Sequence, residues 1–272
     1  MKFVFFGTPN VASETLAHLL KNNLIPSLVV TNPDRPRGRG QQLSSSPVKE
    51  LALAHHLPVI TPDRLDEEFL ATVKAVDADY AVVVAYGKIF SEELINLFPK
   101  GVVNVHYSLL PKYRGAAPLE AALLNDDEET GVTLQKMTKE LDAGDIIAAI
   151  SMPIKSDDTA LSLRPQMITL GAELLVSSLL RYFGGELETY PQDHTSATFA
   201  PKRSKADGEL DLSLSGQENW RKFRAFNDSI GTYFFKDGKR YKVTSAHLNE
   251  NGQFIIERVI PEGKNEMEYK VN

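Results

Sequence analysis

Short apolar runs alternate with stretches of helical spacing through the first half of the chain. FVFF at 3–6 predicts a strand. Asn10 to Leu20 carries Val11, Leu16, Leu19 and Leu20 near helical spacing and predicts an amphipathic helix. SLVVT (27–31) predicts the second strand. Ser46-Pro47 then opens a helix through VKELALAHH, because Ser caps and Pro is tolerated at the first helical position. PVIT, DEEFLATVKAV and YAVVVAYG repeat the strand–helix–strand pattern, and EELINLF and GVVNVH follow. Strands this apolar, alternating with helices, predict an α/β architecture. Its sheet should be mostly parallel with helices on both faces. In such sheets ligands sit at the carboxyl ends of the strands, where His106 falls.

The pattern then changes. APLEAALL predicts a helix, GVTLQKM and IIAAISMPI predict strands, and a long helix runs from about Thr159 to Phe183, ended by Gly184-Gly185. Residues 189–206 are polar and unpatterned and read as a linker. The tail offers a short helix around ENWRKFRAF and strands TYFFK, RYKVTSA and FIIERVI. Lys236-Asp237-Gly238-Lys239 is a hairpin signal. Three segments result: a catalytic domain over 1–188, the linker over 189–206, and a small β-rich domain over 207–272.

Composition narrows the class. The 272 residues are 42% hydrophobic and 24% charged, as in an ordinary globular protein. No cysteine is present, which excludes disulfides, Cys-based zinc sites and a thiol nucleophile. The apolar run at the N-terminus is too short for a signal peptide, and no run is long enough to span a bilayer, so a cytoplasmic protein without membrane contact is expected. The net charge of −6 is uneven: residues 201–272 carry a net +2 and the rest a net −8. Within the acidic part, Arg35, Arg37, Arg39 and Lys49 cluster near the single acid Asp34. By charge alone this is either a solvated loop or a polyanion contact. PDRPRGRG is too rich in Pro and Gly for a helix and reads as an exposed loop whose arginines can meet phosphates.

The candidate chemistry centres on GVVNVH. Residues i and i+2 of a strand share a face, so Val103 and Val105 would pack into the core while Asn104 and His106 face the other way. A buried polar pair needs partners. Taken alone, a His near a strand end is more often structural than catalytic, and Asp142 in LDAGD reads as a turn residue. The combination of the three changes the balance. Gly7-Thr8-Pro9 lacks the spacing of a phosphate loop and reads as a tight turn into a helix. His55 and His56 are adjacent rather than at ligand spacing, and HExxH is absent, so no metal is predicted. GxSxG is absent too, which argues against a serine hydrolase.

Asn104, His106, SLLP at 108–111, RGAAP at 114–118 and LDAGD at 141–145 together resemble the folate-dependent formyltransferases. FFGTP, PDRPRGRG with SPVK, VVVAYG and GAAP resemble those members of the family that formylate methionyl initiator tRNA. The resemblance is strong over about residues 1–200 and continues weakly through FAPKRSKADGELD and RAFN. It implies the formyltransferase fold, a Rossmann-like sheet followed by an OB-like module. It also implies formyl transfer from 10-formyltetrahydrofolate to the methionyl amino group, with Asn104, His106 and Asp142 as the catalytic trio. By the same resemblance Ser108, Leu109, Leu110 and Pro111, with Tyr86, Gly87, Lys88, Ile89 and Phe90, line the folate site. The loop after strand two reaches the tRNA through Arg35, Arg37 and Arg39. A monomer is expected.

Two departures from the family pattern stand out. Tyr107 occupies a position that is usually small, where it could affect access of the amine. The tail is also short for a complete five-stranded barrel, and Asp228-Ser229 replaces the usual Trp-Pro after RAFN. The alternatives are a formyltransferase acting on an amino sugar nucleotide, a hydrolase of formyltetrahydrofolate, and a nucleic-acid-binding protein with a dead site.

Overall fold

The computed structural model describes residues 1–37 and 42–270. The N-terminal half alternates strands and helices in the expected order: β1 (Phe3–Gly7), α1 (Asn10–Lys21), β2 (Leu28–Val30), β3 (Arg35–Arg37), β4 (Gln42–Ser44), α2 (Pro47–Ala54), β5 (Val59–Ile60), α3 (Glu67–Ala75), β6 (Tyr80–Val84), α4 (Glu92–Asn96) and β7 (Val102–His106). Then follow β8 (Arg114–Gly115), α5 (Pro118–Leu124), β9 (Glu129–Lys136), β10 (Ile146–Pro153), α6 (Ala160–Phe183), β11 (Phe199–Ala200), α7 (Gly216–Phe226), β12 (Thr232–Lys236), β13 (Lys239–Leu248), β14 (Phe254–Pro261) and β15 (Met267–Glu268). No helix among the described residues is long and apolar enough to cross a membrane.

The central sheet has seven strands in the order β10-β9-β7-β6-β1-β2-β5. β5, β2, β1, β6 and β7 are parallel, and β9 runs antiparallel to β7. β1 and β6 are buried at every position, which is why their sequences show no polar alternation. From β1 the chain builds outward to β2 and β5 on one side, then to β6 and β7 on the other. The strand order therefore reverses at β1, and the carboxyl ends beside that reversal form the natural crevice for a ligand. Gly7 ends β1 where a Cβ would lie 2.5 Å from the Cβ of Ala12 and 3.0 Å from the carbonyl of Val84. The tight turn into α1 thus needs glycine.

Local signals explain the helix starts. Ser46 accepts from Lys49 N at 3.0 Å with Pro47 behind it, and Asp66 and Ser91 cap α3 and α4 in the same way. One face of the sheet is closed by an aromatic cluster. The Phe6 ring meets Phe69, Tyr86, Phe90 and Phe98 in edge-on geometry, with centroids 4.9–6.5 Å apart. The PDRPRGRG segment differs from the expected loop. Arg35–Arg37 pairs antiparallel with Gln42–Ser44 as a short ribbon, with Pro36 opposite Leu43. A two-stranded ribbon is all edge, where proline is tolerated.

The described residues divide into two compact units. The first holds Met1–Pro111, Gly131–Ile150 and Met167–Ala197; the second holds Lys112–Thr130, Ser151–Gln166 and the residues from Thr198 onward. In the second unit β12-β13-β14-β15 form a four-stranded antiparallel sheet, one strand short of the usual OB count. Asp237 and Gly238 turn the first hairpin with φ of +51° and +71°, the left-handed pair that this turn needs. Trp220, Phe223, Phe234, Val243 and Val259 fill the core beneath this sheet. Inserted segments of the chain join this unit through polar contacts. Trp220 Nε1 donates to Ser156 O at 3.2 Å, and Arg221 Nη2 donates to Asp126 Oδ2 at 2.8 Å. Asp228, one of the two residues that break the family pattern, accepts from Arg164 Nε at 2.9 Å, and Arg164 also donates to Glu120 Oε1. Strand β11, within the stretch expected as an unpatterned linker, pairs with β8.

The aromatic cluster sets the first prediction. Phe6→Ala removes a fully buried ring from four aromatic neighbours and should cost about 3–5 kcal/mol, read by denaturant unfolding. A loss below about 1 kcal/mol would mean the site collapses freely and the cluster does not fix β1.

Candidate active site

Strand β7 presents the site. Asn104 lies opposite Gln135 and His106 opposite Thr133 across the antiparallel ladder to β9. These four polar side chains occupy one face of the two strands, while Val103, Val105, Val132 and Leu134 take the other and are buried. His106 is 5% exposed, Gln135 1% and Thr133 0%. This is the segregation expected for Asn104 and His106, and β9 extends it by two residues.

Asp142 comes from the turn that follows β9. Its φ is +47°, a left-handed value that aspartate adopts more readily than most residues. The turn is closed by Lys136 N donating to Asp145 O at 2.9 Å. Gly144 is required there, because a Cβ would collide with the Lys136 carbonyl. Gln192 holds the same turn from a distant segment, its Nε2 donating to Asp142 O at 2.9 Å and to Gly144 O at 2.7 Å.

The Asp142 carboxylate then meets the strand residues. Its Oδ1 accepts from Gln135 Nε2 at 2.8 Å and from Asn104 Nδ2 at 3.4 Å. Its Oδ2 lies 3.6 Å from His106 Nδ1, with the two side chains 12% and 6% exposed. The structure thus brings the predicted trio together. Chemically, the group combines an amide N–H donor, an imidazole that can hold or release a proton, and a carboxylate that can support the charged imidazole.

The SLLP segment leaves β7 directly. Thr133 pins it, with Oγ1 donating to Ser108 O at 2.7 Å and accepting from Leu110 N at 3.1 Å. Ser108 and Leu110 are buried, while Leu109 and Pro111 are partly exposed. Tyr107 leaves on the opposite side from His106, its ring close to Gly171 of α6. Burial lifts its phenol to about 12. That placement separates its ring from the polar face of β7 that carries His106.

The segment 86–90 leaves the carboxyl end of β6, the strand beside β7. Its side chains divide. Tyr86 and Phe90 are buried in the aromatic cluster, whereas Ile89 is 93% exposed. Gly87 takes a left-handed φ of +80°. Lys88 Nζ donates to Pro62 O and Asp63 O at 2.5 and 2.9 Å. Burial is the first cause pulling the Lys88 ammonium below its usual value. Of the arginines, Arg35 is exposed on β3, Arg37 closes that strand, and Arg39 lies outside the described residues. Lys49 is committed elsewhere, donating to both oxygens of Asp34 at 2.9 and 2.8 Å. Among the described residues no cluster of three His, Asp or Glu side chains is close enough to hold a metal ion.

Four further side chains around the site were not singled out by the sequence. Gln135 and Thr133 were readable by the same i, i+2 argument that found Asn104 and His106. Gln192 carried no local signal. Neither did Asn32, whose Nδ2 donates to Thr8 Oγ1 at 3.0 Å and Tyr86 O at 2.9 Å, tying together the ends of β1, β2 and β6.

The turn geometry sets a second prediction. Gly144→Ala should displace Asp142 by pushing the turn off Lys136, lowering turnover at least tenfold while the protein still folds, since overpacking costs about 1–3 kcal/mol. Turnover equal to wild type with an unchanged melting temperature would show that the turn does not fix Asp142.

Residues 1–179 match the formyl transferase family, and residues 202–254 match the formyl transferase C-terminal domain. A methionyl-tRNA formyltransferase of Sulfurihydrogenibium sp. is 44% identical over 92% of this chain and 81% of its own length. One from Bdellovibrio bacteriovorus is 44% identical over 94% and 81%. Two solved structures share the fold at lower identity. The N-formyltransferase of Helicobacter canadensis, in complex with folinic acid and dTDP-3-aminofucose, has a TM-score of 0.70 at 23% identity, covering 92% of this chain and 88% of that one. The methionyl-tRNA formyltransferase of Clostridium thermocellum has a TM-score of 0.65 at 15% identity, covering 99% and 100%. The chain belongs to the formyl transferase family, and within it stands with the methionyl-tRNA formyltransferases.

Proposed function

We propose that the protein transfers the formyl group of 10-formyltetrahydrofolate to the amino group of methionyl initiator tRNA. The observation that carries this reading is the convergence of Asn104, His106 and Asp142 on one face of β7, in a chain 44% identical to enzymes of that name. Formyl transfer between nitrogens needs no nucleophilic side chain, which agrees with the absence of cysteine.

The chemistry follows from the residue types. The neutral amine attacks the formyl carbon, and the carbonyl electrons move onto its oxygen. Asn104 N–H and a protonated or proton-donating His106 stabilise that oxyanion. Asp142 supports the charged imidazole and carries the proton from the attacking amine toward the leaving nitrogen. The carbon–nitrogen bond to the folate then breaks, that nitrogen takes the proton, and the carbonyl reforms. Folate is placed against Ser108–Pro111, whose backbone Thr133 holds rigid, and against residues 86–90. The exposed Ile89 offers an apolar surface there, and a flat pterin needs such walls beside backbone hydrogen bonds. Arg35, Arg37 and Arg39 are taken as the tRNA contacts.

Transfer to an amino sugar nucleotide is the second reading. The Helicobacter canadensis neighbour supports it only at the level of fold, at 23% identity. The PDRPRGRG segment, with three arginines in eight residues, suits a polyanion better than a single sugar nucleotide. The same Asn, His and Asp arrangement could equally hydrolyse the donor if water took the place of the amine. The relatives' names favour the tRNA reading.

Asn104→Ala and His106→Ala each remove one group that acts on the developing oxyanion, so kcat should fall about 10²–10³-fold. Folate affinity, measured by equilibrium titration, should change little. Near-wild-type turnover in either variant would remove the catalytic assignment. Arg37→Ala combined with Arg39→Ala should weaken tRNA binding and flatten its salt dependence, since each phosphate contact contributes about 0.9 to the slope of log affinity against log salt on duplex. The apparent affinity for the formyl donor should stay unchanged. An unaltered KM for charged tRNA and an unaltered salt response would place the tRNA contact elsewhere.

A further inference from the structure

We propose that Gln135 is a positioning residue for formyl transfer: its amide fixes the rotation of the Asp142 carboxylate so that one oxygen stays on His106. The inference rests on the reading that Asp142 acts in catalysis.

The geometry starts on β9. Gln135 lies directly opposite Asn104 in the ladder and is 1% exposed. An uncharged amide buried this deeply needs partners on both ends, and it has one. Its Nε2 donates to Asp142 Oδ1 at 2.8 Å, while its Oε1 is buried with no hydrogen-bond partner among the described residues. The orientation of the amide is settled by chemistry. An ionised carboxylate only accepts, so the NH₂ end must face Asp142 and the carbonyl end must face away. An orphaned acceptor disfavours folding. A site shaped for stability alone would place an apolar side chain here.

The bond also decides how Asp142 points. Gln192 holds the backbone of the turn through the carbonyls of residues 142 and 144, but it does not touch the carboxylate in those bonds. Oδ1 has two strand donors, Gln135 at 2.8 Å and Asn104 at 3.4 Å. Gln135 is the closer of the two. Asn104 is also the residue assigned to the oxyanion, so it cannot serve Asp142 at full strength during transfer. With Oδ1 held by Gln135, Oδ2 is the oxygen left facing His106, 3.6 Å away. Gln135 therefore keeps Asp142 aligned on the imidazole when Asn104 turns to the reacting carbonyl.

The test uses the full-length protein with charged initiator tRNA and 10-formyltetrahydrofolate. Gln135→Met keeps the length of the side chain and removes both polar ends. The expected result is a kcat about tenfold to a hundredfold below wild type, the size of one charge-assisted hydrogen bond. KM for both substrates should stay near wild type; the melting temperature should fall with the lost donor, but the protein should remain folded at the assay temperature. Gln135→Glu sets two carboxylates face to face. Only a proton held between them restores the bond, so its turnover relative to wild type should recover as pH is lowered. A purely structural residue would show neither the split between kcat and KM nor that recovery. If Gln135→Met turns over within twofold of wild type while Asp142→Asn is inactive, the inference is wrong and the catalytic trio stands. If Gln135→Met raises KM with kcat unchanged, Gln135 binds substrate and does not position Asp142. If Asp142→Asn is itself fully active, the reading beneath the inference fails with it.

Discussion

The Asp142 side chain is 12% exposed and sits against a nearly buried histidine, and a carboxylate so far from water must be met by donors on every side. That demand organises much of the first unit. Two amides on adjacent strands meet one oxygen, an imidazole faces the other, and a glutamine fifty residues away in sequence holds the backbone. Removing one partner of such a group costs far more than the bond itself is worth, because an uncompensated charge is left behind. The turn can therefore tolerate a left-handed φ at Asp142 and a glycine at 144 with no room for a Cβ. The surrounding bonds over-determine it.

The sheet serves this arrangement in a simple way. β1 and β6 are apolar throughout and buried on both faces, so the middle of the sheet is a rigid floor with no polar demands. Polar side chains appear on β7 and β9 as the sheet turns antiparallel, and there they share one face. Rigid strands hold side chains more closely than loops do, and Asn104 and His106, the two groups proposed to act on the developing charge, are on a strand. Only the carboxylate comes from a loop, and Gln135, Asn104 and Gln192 tether it and its turn.

The strands and helices were legible because their periods are unambiguous: VVNVH alternates, FVFF and YAVVV do not, and Ser46-Pro47 starts a helix by a local rule. Asn104 and His106 were legible because i and i+2 need no tertiary information. Gln135 obeyed the same rule in GVTLQKM, but a glutamine on a strand announces no chemistry until its partner is known. Gln192 was out of reach, since only the folded chain brings it to residues 142 and 144. The Arg35–Arg37 ribbon was hidden by its proline, which argues against a strand except at an edge. The grouping of Lys112–Thr130 and Ser151–Gln166 with the C-terminal sheet was equally hidden. It depends on long-range polar contacts such as those of Ser156 with Trp220 and of Asp126 with Arg221. Asp228 shows how a departure from family pattern can be structural: it supplies a carboxylate to Arg164.

In the proposed reaction the acceptor amine, and with it the tRNA, is the substrate that meets this site. The direct measurement is the transfer of labelled formyl from 10-formyltetrahydrofolate by the purified protein, offered charged methionyl initiator tRNA in one reaction and an amino sugar nucleotide in another. The predicted result is label on the methionyl amine, with transfer to the sugar at background. Efficient labelling of the sugar with none on the tRNA, or release of free formate at the same rate with and without either acceptor, would contradict it.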